Sequence, residues 1–172
     1  MSNITDWVTL AVSLLSLLIS SLISYLVFFN NRQSQRAAIH QEIEHSYDKM
    51  MDLRSDHPEI MHLCFKWDEK CFKLLYGGPN LENKQWVLYY TYVELCLGFI
   101  NSVLYGWDIN LLDRQAYENH YKPLVRLLLT EHYQYFSSIL DGPYISVYVK
   151  KFITEEQNSG WNWVERHKML AM

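Results

Sequence analysis

Apolar residues crowd positions 7–29 with no charged side chain among them, and from Ile39 onward the pattern changes to apolar residues three and four apart. The first stretch, Trp7–Phe29, holds 23 residues. As a helix it would span roughly 35 Å, enough for a hydrocarbon core of roughly 30 Å with some tilt. A helix satisfies its own backbone hydrogen bonds, so it can lie in lipid. A cleaved signal peptide fits less well: no Lys or Arg precedes the run, the run is long, and no small-x-small cleavage site comes after it. The expectation is a transmembrane helix with Trp7 and Tyr25 near the two interfaces. Only Asp6 flanks it on one side, whereas Arg32, Arg36 and then Lys49 lie on the other. The positive-inside rule then puts the N-terminus outside and the C-terminal part in the cytoplasm.

The later pattern reads as helices throughout, with no strand-like alternation. Ile39, Ile43, Tyr47 and Met50 mark one apolar face, and no Gly or Pro interrupts residues 7–54. The anchor is therefore free to continue into this helix, with Asn30–Asn31 as the alternative break. Ser55-Asp56-His57-Pro58-Glu59 reads as a stop and restart in which Asp56 caps and Pro58 opens the next helix. That helix would carry Ile60, Leu63, Cys64, Trp67, Cys71 and Leu74, and end at Gly77-Gly78-Pro79-Asn80, the densest group of breakers and the point expected to be most open to proteases.

A third helix, about Glu82 to Tyr105, presents Trp86, Tyr89, Val93, Cys96, Leu97, Ile100 and Leu104, with Val87, Tyr90, Leu95 and Phe99 behind them. A helix apolar on most sides is usually central. Glu94 and Asn101 lie on its flank near Gly98, where a carboxylate needs a partner or water. Gly106-Trp107-Asp108 should break the chain. Asp113 should cap a fourth helix with the face Tyr117, Tyr121, Leu124, Leu128 and Tyr135, kinked or divided at Pro123. After a turn at Asp141-Gly142-Pro143, a last helix from about Tyr144 to Glu156 shows Ile145, Tyr148, Val149 and Phe152. The predicted fold is all-α: a short N-terminal tail at 1–6, a transmembrane helix at 7–29, one helical-bundle domain of about four to five helices at 30–158, and a C-terminal tail at 159–172 containing Trp161 and Trp163.

Composition narrows the partners. The net charge is −4 and no stripe of Lys and Arg appears, so no nucleic-acid partner is expected. Cys64, Cys71 and Cys96 form no CxxC pair and read as reduced core residues. No zinc-ligand spacing occurs, and no metal or cofactor is expected. Glu42 and His45 make one Glu-x-x-His triplet, but a two-metal bundle needs two. The 13 Tyr and 6 Trp read as core wedges.

Two patterns carry candidate function. Thr9, Ser13, Ser16, Ser20 and Ser24 recur at steps of 4, 3, 4 and 4 residues, which puts them on one helix face. Small hydroxyl residues let transmembrane helices approach and bond across the contact, in a second copy or in a partner's helix. Serines that bond back to their own helix are the alternative. The second pattern is Arg-x5-His, present as Arg114 to His120 and Arg126 to His132. Small helical ribonucleases of the higher-eukaryote-and-prokaryote nucleotide-binding type pair an Arg with a His in a similar way. Such a likeness implies a His acting on a 2′-hydroxyl while the Arg steadies the phosphate. Signatures of cysteine nucleophiles, serine hydrolases and phosphate loops are absent.

The apolar span, Arg54-Ser55-Asp56-His57-Pro58-Glu59 opening a helix, and Gly106-Trp107-Asp108-Ile109-Asn110 before an aromatic-bearing helix together resemble a group of bacterial membrane proteins, frequent in cyanobacteria, in which one anchor precedes a helical domain of unknown function. The resemblance implies architecture and membrane location and transfers no active site. The expected function is a membrane-anchored interaction or scaffold protein, in contact with the lipid bilayer and with itself or a partner helix. A membrane-tethered Arg–His ribonuclease is the alternative.

Overall fold

A computed structural model of the chain describes residues 2–66, 81–143 and 145–170. Every regular element among them is helical. The chain divides into two compact units, Met1–Ala38 and Ile39–Met172. Helix α1, Ser2–Asp56, is assigned without a break, so Asn30–Asn31 does not interrupt it. In the first unit the apolar side chains from Trp7 to Phe29 are all exposed. Among the described residues two helices are long and apolar enough to cross a membrane: α1, whose apolar stretch is fully exposed, and the helix Asn83–Asp108, whose apolar stretch is mostly buried.

The second unit holds the core. Ile39, Ile43 and Met50 on the last part of α1 are buried as their spacing requires, while Tyr47 stays partly exposed against Phe99. Asp56 ends α1 instead of capping the next helix. The chain then enters a 3₁₀ helix, Pro58–Phe65, through His57, with no side-chain cap and with Pro at its start. The expected residues Trp67, Cys71 and Leu74 and the turn Gly77–Asn80 lie outside the described residues.

Helix α2, Leu81–Asp108, is the central one. Every residue of its expected main face is buried, and so are Phe99 and two residues the spacing did not flag, Tyr92 and Val103. It packs against the 3₁₀ helix and against a later helix, Val147–Asn158. The helix ends at Asp108, inside the break expected at Gly106-Trp107-Asp108, but by another device than the glycine. Asn110 takes a left-handed φ of 57°. Its N–H donates to the Trp107 carbonyl (3.0 Å), and the Leu111 N–H donates to the Gly106 carbonyl (2.9 Å). These two bonds satisfy carbonyls that the helix end would strand, and they send Leu111 and Leu112 back into the core.

Gly106 is needed for a different reason. A Cβ there would lie 2.8 Å from Ile39 Cγ2 and 3.2 Å from Leu112 Cγ, whereas a Cβ at Gly98 would meet nothing within 4 Å. The same substitution should therefore act with opposite signs on one helix. Gly98→Ala gains about 0.8–1 kcal/mol of helix propensity. Gly106→Ala gains the same, but overpacking costs about 1–3 kcal/mol and outweighs it. Urea unfolding of the two variants checks this. Equal shifts would remove the close approach of Ile39 to Gly106 as the reason for that glycine.

Asp113 caps helix α3, Arg114–Ala116: its Oδ1 accepts from the N–H groups of Gln115 (2.8 Å) and Ala116 (3.0 Å). The chain then makes a π-helical turn, Tyr117–Tyr121, in which the Lys122 N–H reaches the Tyr117 carbonyl. Helix α4, Lys122–Glu131, comes next with Pro123 in its first turn. Proline lacks an N–H and crowds the carbonyl four residues back, and the wider turn accommodates both effects. The expected fourth helix, kinked or divided at Pro123, thus carries a π turn ahead of Pro123, helical on both sides, and ends at His132. His132 leaves helical geometry at φ −104°, ψ 30°, so Tyr135 belongs to α5, Tyr133–Ile139. After the turn closed by the Gly142 N–H on the Ile139 carbonyl, α6 runs Val147–Asn158 under a Ser146 cap, shorter than the expected Tyr144–Glu156 at its start.

The residues expected to be a tail are packed. Gly160 adopts φ +90°. The N–H groups of Gly160 and Trp161 return to the carbonyls of Gln157 and Glu156, the same closure seen at Asn110. The chain reverses there and buries Trp161 and Trp163. Helix α7, Trp163–Leu170, then packs on α4 and α5. His167 anchors it through Nδ1 and the Thr130 carbonyl, 2.9 Å apart in the core. The described residues thus form seven α-helices, one 3₁₀ helix and one π turn. The excess over the expected four or five comes from the π turn at Tyr117–Tyr121, which separates α3 from α4, from the break at His132 and from α7.

Candidate functional site

The two Arg–His pairs do not form a common site. Arg114 and His120 are both exposed, one at the start of α3 and the other in the π turn. Arg126 is committed to Glu156, a carboxylate only 6% exposed, which also receives Lys122 Nζ at 3.2 Å. Lys122 in turn pairs with Glu118 one turn back (3.3 Å). A buried carboxylate with two cations is a neutralised structural group. Arg126 in this arrangement ties α4 to α6.

His132 is completely buried. It sits among the rings of Tyr89, Tyr92 and Phe136 at centroid distances of 5.7, 5.3 and 6.5 Å. Its Nδ1 is 3.0 Å from the Tyr89 hydroxyl. Its Nε2 finds no hydrogen-bond partner among the described residues, and Glu131 Oε2 lies 3.9 Å away. With the proton on Nε2, facing that carboxylate, Tyr89 donates to Nδ1, and both placements are electrostatically favourable. Burial, then the positive charge of Arg54, then His167, push the imidazole pKa down to about 3. His132 is thus a neutral hydrogen-bond acceptor in the core, out of reach of any substrate.

The residue beside it carries a contact that spans the second unit. Glu131 receives the Arg54 guanidinium in a fork, Nη2 to Oε1 at 3.3 Å and Nη1 to Oε2 at 3.5 Å. Arg54 and Glu131 are 77 residues apart, a separation that no local spacing signals. Close by, burial pushes the Cys64 thiol up to about 12 and raises that of Cys96 as well, so both remain protonated and unreactive. Among the described residues no three His, Cys, Asp or Glu side chains converge to hold a metal ion. Two polar groups near Gly98 have partners: Tyr135 donates to Glu94, and Ser146 donates to Asn101. Glu42, half of the Glu-x-x-His triplet, accepts from Ser102 at 2.7 Å instead.

The hydroxyl stripe lies in the first unit. Ser13, Ser16, Ser20 and Ser24 line one shallow groove along the helix together with Val12, Leu17 and Ser21. The Ser13 hydroxyl donates to the Thr9 carbonyl at 2.9 Å, the inward bond that lets a serine sit in an apolar helix. The groove exists because small side chains alternate with large ones around the helix, and it leaves the backbone approachable along about three turns.

Comparison of the chain with protein-family models, with characterised proteins and with solved structures finds no match.

Proposed function

We propose that this chain is a membrane-anchored interaction protein, held by Trp7–Phe29 as a single-pass transmembrane helix, with residues 39–172 as its cytoplasmic helical domain. The observation that carries this reading is the exposure of the anchor. Residues 7–29 carry no charged side chain, and their apolar side chains are exposed throughout. Burying apolar surface is worth about 25 cal/mol per Å², and these side chains stand exposed, so lipid is the solvent that suits them. The central helix α2 is also long and apolar enough to span, but most of its apolar stretch lies inside the core. The interaction half of the proposal rests on the groove lined by Ser13, Ser16, Ser20 and Ser24. The pair Arg126–His132 offers no rival, since His132 is enclosed and Arg126 is held by Glu156.

Two expected results test the proposal. A reporter fused after Met172 should be active in the cytoplasm, because Arg32 and Arg36 outweigh the flank carrying Asp6. Activity only on the far side of the membrane would reverse the orientation. In a transmembrane two-hybrid assay on residues 1–36, Ser16→Leu with Ser20→Leu should lower self-association severalfold, since two interhelical bonds are worth about 0.6 kcal/mol each and close approach is lost too. Leu17→Ile with Leu18→Ile should change it little. If both pairs behave alike, the serines serve only their own helix.

A further inference from the structure

The second unit contains a cavity of about 420 Å³ that the proposed function does not use. Its volume falls in the range of small-molecule sites. Three of its walls are aromatic: Tyr47, Phe99 and Tyr121. The rings of Tyr47 and Phe99 stand 5.9 Å apart and tilted, so Tyr47 covers Phe99 while keeping part of its own face open. Glu44 and Asp48 lie on the same wall of α1, one turn apart. Neither has an ion-pair partner among the described residues, although His120 borders the same cavity. Two like charges one turn apart disfavour a helix unless a cation lies between them. Burial, then the charge of Glu44, keep the Tyr121 hydroxyl protonated, so the third ring is a neutral wall.

We infer that this cavity binds a small organic cation of the quaternary ammonium class, with its methyl groups against Tyr47 and Tyr121 and its charge facing Glu44 and Asp48. Aromatic faces attract cations, and quaternary ammonium ions are the class that aromatic cages recognise, because they carry charge without a tight hydration shell. A phosphate-bearing headgroup fits poorly, since its anion would meet the same two carboxylates. The inference does not depend on the anchor being in a membrane.

The test uses the full chain in a non-ionic maltoside detergent and follows the trimethylammonium resonance of choline by ligand-detected NMR. Choline should bind at least about fivefold more tightly than 3,3-dimethylbutanol, its uncharged isostere, and more tightly than glycerophosphocholine. Glu44→Gln with Asp48→Asn, two exposed positions whose change should leave thermal unfolding intact, should weaken choline at least about threefold. Tyr47→Leu should weaken it by a similar factor. Equal binding of choline and its isostere would make the cavity merely apolar and overturn the inference. Undetectable choline binding, or choline binding that the carboxylate pair does not affect, would overturn it as well. Tighter binding of glycerophosphocholine than of choline would assign the cavity to a lipid headgroup and overturn the class named here.

Discussion

Replacing Leu14 and Leu18 with arginine should move this protein from the membrane fraction of the cell to the soluble or aggregated one. Both residues lie mid-span and are more than half exposed. On insertion scales an arginine near the helix centre costs about 2.5–3.5 kcal/mol, so the pair costs about 5–7 kcal/mol. The favourable side is of similar size. Fourteen residues of Trp7–Phe29 are Leu, Ile, Val or Phe, each contributing about 0.3–0.6 kcal/mol. The serines and threonine subtract from that sum, so two arginines are enough to cancel it. Leu14→Ile with Leu18→Ile should leave the distribution unchanged. Cell fractionation with immunodetection of the full chain reads this. A double-arginine variant that still partitions with the membrane as the native chain does would mean that another part of the molecule holds it there.

The folded domain should lose stability steadily as pH falls below about 6.5, with His132 as a principal cause. The imidazole is neutral in the core and its pKa is lowered to about 3 there, against about 6.5 in the unfolded chain. Between these values the unfolded chain takes up a proton that the folded one refuses. Stability is therefore complete above pH 6.5, falls by up to about 1.4 kcal/mol per pH unit, and has lost the whole contribution near pH 3. Integrated, this amounts to at most roughly 5 kcal/mol, comparable with the whole stability of many domains. His132→Gln keeps a hydrogen-bonding side chain near Tyr89 and removes the titration. It should cost stability at pH 7.5 and show a flatter acid profile, so that the two proteins converge as pH falls. Urea unfolding at pH 7.5, 5.5 and 4.5 measures the difference. Parallel profiles would mean that His132 does not titrate across the folding transition.

These two results draw on different kinds of legibility in the sequence. The uncharged run at Trp7–Phe29, the cap at Asp113, the distortion ahead of Pro123 and the turn at Asp141-Gly142-Pro143 are local signals, and the structure carries the last three where the residues stand. The buried face of α2 was legible for the same reason, since periodicity is local. Helix ends that rely on backbone geometry were not. Gly106 looks like a breaker, yet the helix passes it and closes through Asn110, because Gly106 serves the approach of Ile39. Gly160 looks like the start of a tail, yet its positive φ reverses the chain and buries two tryptophans. Long-range pairs were invisible. Arg126 reads as a cation free to hold a phosphate until Glu156 is found against it, and His132 reads as a catalytic base until its burial beside Tyr89 is seen. A spacing of six residues between Arg and His carries no information about which side of the core each will face.

The cavity bordered by Tyr47, Tyr121, Glu44 and Asp48 was likewise hidden, although its parts were in view. Ile39, Ile43, Tyr47 and Met50 mark the apolar face of α1, but nothing in the spacing singles out Glu44 and Asp48 beside them. Only the packing of Phe99 and the π turn against that helix brings the aromatic and acidic residues to one hollow.

The central claim is that Trp7–Phe29 lies in the bilayer, and alkaline carbonate extraction tests it most directly. Membranes from cells making the native full chain are washed at high pH and sedimented, which strips proteins held by charge or by other proteins. An integral helix keeps the chain in the pellet, and only detergent should release it. Quantitative release into the carbonate supernatant would contradict the account, and the exposed apolar face of α1 would then belong against protein instead of lipid.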